Sequence, residues 1–496
     1  MARGEEEPPR LGYRLSAMPV LSRRQLCAAF ATSNFLANAQ TIRNPNIIFV
    51  LTDDQGYGDL ACLGNPVVKT PNLDRLHSES ARFTDYHVSP TCSPTRAALL
   101  TGKHEFKSGV THTVAERERM SLKSSTFTEV LKSAGYTTGI FGKWHLGDAE
   151  PYQPGHRGFD EVFIHGCGGI GQDYPGTCSD APGNTYFNPT IRHNGKFERT
   201  LGYCTDVFFG QALKWIEEKG KTQTPFFAYI TTNAPHVPLF CPEEYQRMYQ
   251  GKGLPEDTEK YFGMITNIDD NVGKLMTRLK EWDLDQNTLV IFMTDNGGTG
   301  GVKVFNAGMR GAKSSPYQGG TRVPAFFRWK GVVPPGNRNQ LTAHVDIFPT
   351  LVEISNGTMP GNLRLEGRSL VPLLKNAQSP WPERVLYTHV GRWPAGQADK
   401  SKYDGCRIRN SRYSMVRTGP KTNWELYDLT VDPGERNNVL ARHPEVIQGL
   451  ESSYDKWWAE MLPGLENENV QAPEVAPYKI AYWQQYGGGP GIMPKR

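Results

Sequence analysis

The chain has 496 residues, room for one to three domains, and its 55 basic and 51 acidic side chains leave a net charge of +4. That near-balance excludes a strongly basic nucleic-acid binder and a strongly acidic protein. With 38% hydrophobic and 21% charged residues, global disorder is excluded too. Eight cysteines are too few for a disulfide scaffold of this length, so each needs its own explanation.

Residues 1–39 read as an export segment. A polar stretch over 1–17 precedes a second possible start at Met18, then Arg23-Arg24 and a mildly apolar run over 27–31. Ala37-Asn38-Ala39 fits the small-residue cleavage rule, and the paired arginines resemble a twin-arginine signal. A disordered extension is the plainer alternative. Beyond residue 40 no run of 18 apolar residues occurs, so no transmembrane anchor is expected.

From residue 44 onward, short apolar runs at 47–51, 138–141, 226–230 and 289–293 alternate with helix-like segments at 73–80, 126–134, 208–218 and 261–282. Continuous apolarity suits parallel strands covered on both faces. The expectation is an α/β fold, a large and mostly parallel sheet sandwiched by helices, over residues 40–385. Residues 377–382 look like a linker. Strand-like pieces at 406–408, 413–417 and 424–427 and a helix at 444–461 then suggest a smaller C-terminal α+β domain over 386–496, an antiparallel sheet plus helix.

Ligands of open parallel sheets sit beyond the carboxyl ends of the strands. The first strand runs into Thr52-Asp53-Asp54-Gln55-Gly56 and the last into Thr294-Asp295-Asn296-Gly297-Gly298. If both lie in one sheet, three carboxylates converge with one amide oxygen, which demands a cation. Oxygen ligands select a hard one, Ca²⁺ or Mg²⁺. Two ordinary Asx-rich turns would read the same way. The 138–141 strand leads to Gly142-Lys143-Trp144-His145, and the 226–230 strand to Asn233-Ala234-Pro235-His236. Lys313 follows Met309-Arg310-Gly311-Ala312. Each could be a surface or packing residue alone. Together they make an electropositive pocket suited to a tetrahedral oxyanion.

Between the first two of these strands lies Pro90-Thr91-Cys92-Ser93-Pro94-Thr95-Arg96, followed by Ala97-Ala98-Leu99-Leu100-Thr101-Gly102. Ser93 fits an N-cap and Pro94 a first helical position, which puts Cys92 at a helix N-terminus that favours anions. Arg96, one turn on, can point to the same place. Cys92 reads as a nucleophile beside an anion cradle, or as a small buried cysteine beside a capped helix.

This stretch resembles the signature of the type I sulfatases. The similarity extends over Asn46 to Asp54, Gly142-Lys143-Trp144-His145-Leu146-Gly147, Pro235-His236, Asp295-Asn296-Gly297 and Arg310-Gly311-Ala312-Lys313, in the family's order. Trp424-Glu425-Leu426-Tyr427-Asp428-Leu429 resembles the family's second domain, and the pattern is similar to the arylsulfatase-like group. The resemblance implies an alkaline phosphatase-like fold and a sulfuric ester hydrolase. It implies that a maturation enzyme oxidises Cys92 to Cα-formylglycine, whose hydrate is the nucleophile. It implies one Ca²⁺ held by Asp53, Asp54, Asp295, Asn296 and the modified Cys92. Arg96 and Lys143 would hold the hydrate, His145 would act as base, and His236 and Lys313 would bind sulfate and protonate the leaving oxygen.

The implied substrate is a sulfated small molecule or carbohydrate, aryl or polysaccharide, and no nucleic acid. The implied location is periplasmic or secreted. A phosphonate or phosphodiester hydrolase of the same superfamily, and a non-catalytic sulfated-glycan binder, are the alternatives. Residues 165–173 and 193–196 are expected to shape the substrate side. Of the remaining cysteines, Cys27 falls in the export segment. Cys167 with Cys178 is the expected local disulfide among Cys62, Cys167, Cys178, Cys204, Cys241 and Cys406.

Overall fold

The computed structural model describes Met1 and residues 44–174, 178–222 and 224–490. The export segment and Cys27 lie outside the described residues, Met1 apart. Ten strands form the main sheet, in the order Gly336–Arg338, Ala81–Phe83, Ala325–Arg328, Thr288–Thr294, Asn46–Thr52, Phe226–Thr231, Thr137–Lys143, Glu161–His165, Thr190–His193 and Lys196–Arg199. Neighbours from Thr288–Thr294 to Glu161–His165 are parallel. Ala325–Arg328 and Thr190–His193 flank them antiparallel.

Side chains of the central strands alternate between two cores. Ile47, Phe49 and Leu51 enter one and Ile48 and Val50 the other, all buried. Burying such a side chain contributes roughly 1.5–3 kcal/mol, so strands covered on both faces read as unbroken apolar runs. The first core is covered by helices Cys92–Thr101, Phe127–Ser133 and Ile347–Ile354. The second is covered by Pro71–Ser78, Cys204–Gly220 and Glu256–Glu281.

Helix ends differ from the sequence expectation where polar residues build them. The helix expected from 261 starts at Glu256, with Glu256, Asp257 and Glu259 in its first turn, where acidic groups favour the dipole. Phe127–Ser133 begins with a reciprocal Thr126–Glu129 capping box.

The C-terminal sheet is antiparallel, Leu386–His389, Cys406–Arg409, Tyr413–Arg417 and Glu425–Asp428. Helix Pro444–Met461 lays Leu450, Tyr454, Trp457, Trp458 and Met461 on Ile408, Met415 and Leu426. Phe106, from the segment after helix Cys92–Thr101, enters this same core, with its ring centroid 5.3 Å from that of Trp393. Arg409 clamps Asp85 at 2.9 and 2.8 Å. Both sheets thus belong to one compact unit, Asn44–Arg496. Cys167 and Cys178 form a disulfide, and Cys62, Cys92, Cys204, Cys241 and Cys406 are free. Among the described residues no helix is long and apolar enough to cross a membrane.

Candidate active site

Strand register brings the expected residues together. Thr52 lies level with Thr294, and Thr231 with both Leu51 and Gly142. Asp53, Asp54, Asp295 and Asn296 therefore meet at one sheet edge, each no more than 1% exposed. Gly142 is required there: its φ is +120° and a Cβ would lie 1.8 Å from the Thr231 carbonyl oxygen. Asp54 (φ 61°) and His145 (φ 60°) occupy the left-handed region, a strain that clusters at functional sites.

Three cations stand against the carboxylates. Lys143 Nζ donates to Asp53 Oδ2 at 2.7 Å, both side chains being fully buried. Lys313 Nζ lies 2.7 Å from Asp54 Oδ2 and 2.6 Å from its Oδ1. Arg96 donates to Asp295 Oδ2 through Nε (3.1 Å) and Nη2 (2.7 Å), and to the Lys143 carbonyl through Nη1 (3.1 Å). Asp54 N donates to Asp295 Oδ1 at 3.2 Å, and Asn296 Nδ2 to Asp54 Oδ1 at 3.0 Å.

Cys92 differs from expectation in its helix position. The helix is Cys92–Thr101 with extended Thr91 at the N-cap, so Cys92 is the first helical residue and Pro94 the third. Ser93 does not cap: its Oγ and Thr91 Oγ1 are buried without hydrogen-bond partners. Local capping preference gives way to the burial of the whole helix, and proline is tolerated anywhere in the first turn. The helix N-terminus thus lacks a side-chain cap, and its free N–H groups favour an anion.

The two histidines are in defined states. His145 Nε2 lies 2.8 Å from the Thr113 carbonyl, which can only accept, so Nε2 carries the proton. Its Nδ1 is buried and unpartnered, a free lone pair. Burial, then the Lys143 charge, holds His145 well below the usual histidine range. His236 Nδ1 donates to the Val237 carbonyl at 2.5 Å, and its Nε2 lies 3.8 Å from Asp54 Oδ2. Burial lowers it to about 4 despite Asp54. Its Nε2 can therefore donate only in the doubly protonated form.

Burial opposes charge on Asp54, but Lys313 and His236 outweigh it and hold that carboxyl low. Burial raises Asp295 to about 6, with Asp53 adding to it. Burial opposes the charge on Lys313, yet Asp54 and Cys92 keep its pKa high, so it stays protonated. Burial likewise pushes the Cys92 thiol up, which disfavours a simple thiolate nucleophile.

The donors fit a hard cation. Asp53 Oδ1 and Asn296 Oδ1 are buried oxygens without hydrogen-bond partners. Asp53, Asp54, Cys92 and His236 offer ligand atoms within 4.8 Å of one another. Asp295, expected as a ligand, lies outside that group, its carboxylate oxygens engaged by Arg96 and the Asp54 amide.

The two expected substrate-side loops separate. Gly168 packs on His145, where a Cβ would lie 2.5 Å from Cε1, and Ile170 N donates to Asn233 Oδ1 at 3.0 Å. The 193–196 turn is not brought to the site. It joins the outermost strands, Asn194 bonds Val162 near the start of its strand, and His193 is held by Glu161 at 2.7 Å. Within the expected 165–173 stretch, where the sequence singles out no one residue, His165 lies level with Lys143 on the adjacent strand, its Nε2 buried and unpartnered. Burial lowers it to about 3, with the charges of Lys143, Arg96 and His236 acting the same way.

A sequence profile described as Sulfatase matches residues 45–357. The chain belongs to the sulfatase family. A second profile, N-sulphoglucosamine sulphohydrolase, C-terminal, matches residues 312–456 of this sulfatase. It is 31% identical over 467 residues to Arylsulfatase A of Homo sapiens, covering 84% of this chain and 88% of that protein. It is 31% identical over 506 residues to N-acetylgalactosamine-6-sulfatase of Mus musculus, covering 90% and 92%. The solved structure of Ps i-CgsB in complex with k-i-k-neocarrahexaose is similar at a TM-score of 0.77 and 26% identity, over 89% of this chain and 97% of that one. The Phosphonate Monoester Hydrolase of Agrobacterium radiobacter shares the fold, with a TM-score of 0.62 and 21% identity over 84% and 96%. This sulfatase is a sulfuric ester hydrolase of the alkaline phosphatase-like superfamily.

Proposed function

We propose that this sulfatase cleaves sulfate monoesters, arylsulfatase-type, with Cys92 converted to Cα-formylglycine and one Ca²⁺ held by Asp53, Asp54, Asp295, Asn296 and the modified Cys92. The observation that carries the reading is the pair of unpartnered buried oxygens, Asp53 Oδ1 and Asn296 Oδ1, beside Cys92, the buried cations Arg96 and Lys143 and the part-buried Lys313. When bound, Ca²⁺ would neutralise the carboxylates and polarise a sulfate oxygen. The formylglycine hydrate would supply a hydroxyl nucleophile and a second hydroxyl whose deprotonation releases sulfate.

The chain's own residues then position and neutralise, as in phosphoryl transfer. Arg96 and Lys143 orient the group at position 92 and offset its developing negative charge. His145 Nδ1, unprotonated and facing no other partner, accepts the proton given up in the second half of the reaction. Lys313, kept protonated, binds sulfate and donates to the leaving oxygen. His236 contributes to the same two tasks once Nε2 is protonated. Burial of the cluster excludes bulk water and strengthens every one of these interactions.

We infer export to the periplasm or the medium, which the Cys167–Cys178 disulfide and the paired arginines support. The catalytic part is assigned to residues 40–385 and the smaller α+β part to 386–496. The implied partners are a sulfated small molecule or carbohydrate and the enzyme that oxidises Cys92.

Mass spectrometry of the Cys92 peptide, paired with turnover of a chromogenic aryl sulfate, tests the reading. Conversion of Cys92 together with sulfate release is expected; full activity with an unmodified cysteine would overturn it. A parallel assay with aryl phosphate and phosphonate esters should show sulfate preferred.

A further inference from the structure

Arg392 comes from the loop after strand Leu386–His389, in the C-terminal part, yet it bonds two residues beside the candidate site, Thr113 and Ser314. Its Nη2 donates to Thr113 Oγ1 at 3.1 Å, and Thr113 is the residue whose carbonyl fixes His145. Its Nη1 donates to Ser314 Oγ at 3.2 Å, and Ser314 follows Lys313. The guanidinium thus bridges the loop whose Thr113 carbonyl holds His145 and the loop that carries Lys313.

The loop is built to hold it there. Arg392 has φ 63°, rare for a non-glycine residue. Its N–H donates to the Thr111 carbonyl at 2.9 Å. Gly391 precedes it because a Cβ there would lie 2.2 Å from the same oxygen.

The charge is under-compensated. Among the described residues no carboxylate forms an ion pair with Arg392, and only two hydroxyls accept from it. Its Nε is buried with no hydrogen-bond partner. The neighbouring Arg117, by contrast, has Glu468 at 3.4 Å. Nearby His112 is lowered to about 4 by burial, then by Arg392 and Arg117. Arg392 and Ser314 line a cavity of about 350 Å³ with Trp393 and Asp404.

We propose that Arg392 is a specificity-determining residue that binds a second anionic group, a sulfate or carboxylate, on the sugar whose sulfate is cleaved. The proposal rests on the sulfatase reading of the Cys92 site and narrows its substrate to polyanionic carbohydrate. A planar guanidinium suits such a group through paired hydrogen bonds.

The test compares kcat/KM of the mature enzyme on 4-methylumbelliferyl sulfate, a monosulfated N-acetylhexosamine and the same sugar carrying two sulfates. Arg392→Ala should lose about 10-fold or more on the disulfated sugar, mainly in KM, and less than about 3-fold on the other two. Arg392→Lys should recover part of the loss. An equal loss on all three would make Arg392 a positioning residue acting through Thr113 and Ser314, and no loss would remove it from recognition; either overturns the proposal. Calorimetric binding of the two sugars to Cys92→Ala protein, with and without Arg392→Lys, gives the same comparison without turnover. Failure of wild type to cleave any sulfate ester would sink the sulfatase mechanism, while the binding comparison would still decide the role of Arg392.

Discussion

The strand-end cluster and the C-terminal aromatic core are both buried, and they differ in nearly everything else. The cluster packs Arg96, Lys143 and Lys313 against three carboxylates, holds two residues in the left-handed region and leaves several polar atoms unpartnered. The core around Trp457 packs rings on rings, with centroids 5.0 Å apart for Tyr387 and Trp457 and 5.1 Å for Tyr454 and Trp457. Buried ion pairs contribute little net stability, whereas aromatic burial contributes several kcal/mol. Within one compact unit, then, the charged cluster is poorly suited to supply stability and the aromatic core well suited to it.

The largest expected break between them is catalytic. Cys92→Ala should lower aryl sulfate turnover by about 10⁴-fold or more, with the thermal midpoint moved by less than about 2 °C. A large fall in the midpoint would mean that the site also carries the fold. Trp457→Ala should do the opposite, costing about 3–5 kcal/mol in unfolding free energy while kcat per folded molecule holds. Unfolding followed by fluorescence, with active-site titration, measures both.

Removing Ca²⁺ sharpens the comparison from the other side. Chelation with EGTA should abolish turnover reversibly and lower stability by about 2–3 kcal/mol if the ion is normally near 100 times its Kd. Calorimetric scans before and after adding Ca²⁺ read the shift; unchanged scans and unchanged rates would remove the metal from the reading.

The smallest effect lies at the junction of the two regions. Glu105 is 1% exposed, its Oε2 has no hydrogen-bond partner, and burial raises its pKa to about 7. Burial holds His104 and His344, 3.5 and 4.0 Å away, near 3, so they stay neutral. Between its ordinary value of 4.5 and about 7 the unfolded chain loses this proton while the folded chain keeps it. Stability therefore falls as pH rises through that window. Glu105→Gln should match wild type at pH 5 and exceed it at pH 8 by on the order of 2 kcal/mol. Parallel melting curves across that range check it.

Much of this was legible in the sequence, for physical reasons that differ by element. The four central strands were readable because burial on both faces leaves unbroken apolar runs, and a parallel sheet then fixes where their ends must meet. Asp53, Asp54, Asp295, Asn296, Lys143, His145 and His236 all follow such ends. The first turn of Glu256–Glu281 escaped because acidic residues build it without apolar spacing. The cap at Ser93 was misplaced because a local preference yields to the burial of the whole helix. Arg392 and Thr113 carry no sequence signal, since 279 residues separate two partners that only the folded chain brings together. His165 is similar: strand register, not any motif, sets it beside Lys143.

Cys92 is 2% exposed and begins a helix whose every residue is buried. Enclosed in this way, the side chain offers almost no surface to the catalytic centre of a second protein. If the residue is oxidised, the alteration must come early, while the segment is still an extended strand of polypeptide. Closure of the fold would then seal the outcome, so each molecule's competence would be decided once, at its making, and a copy that folded unaltered would stay inert for life.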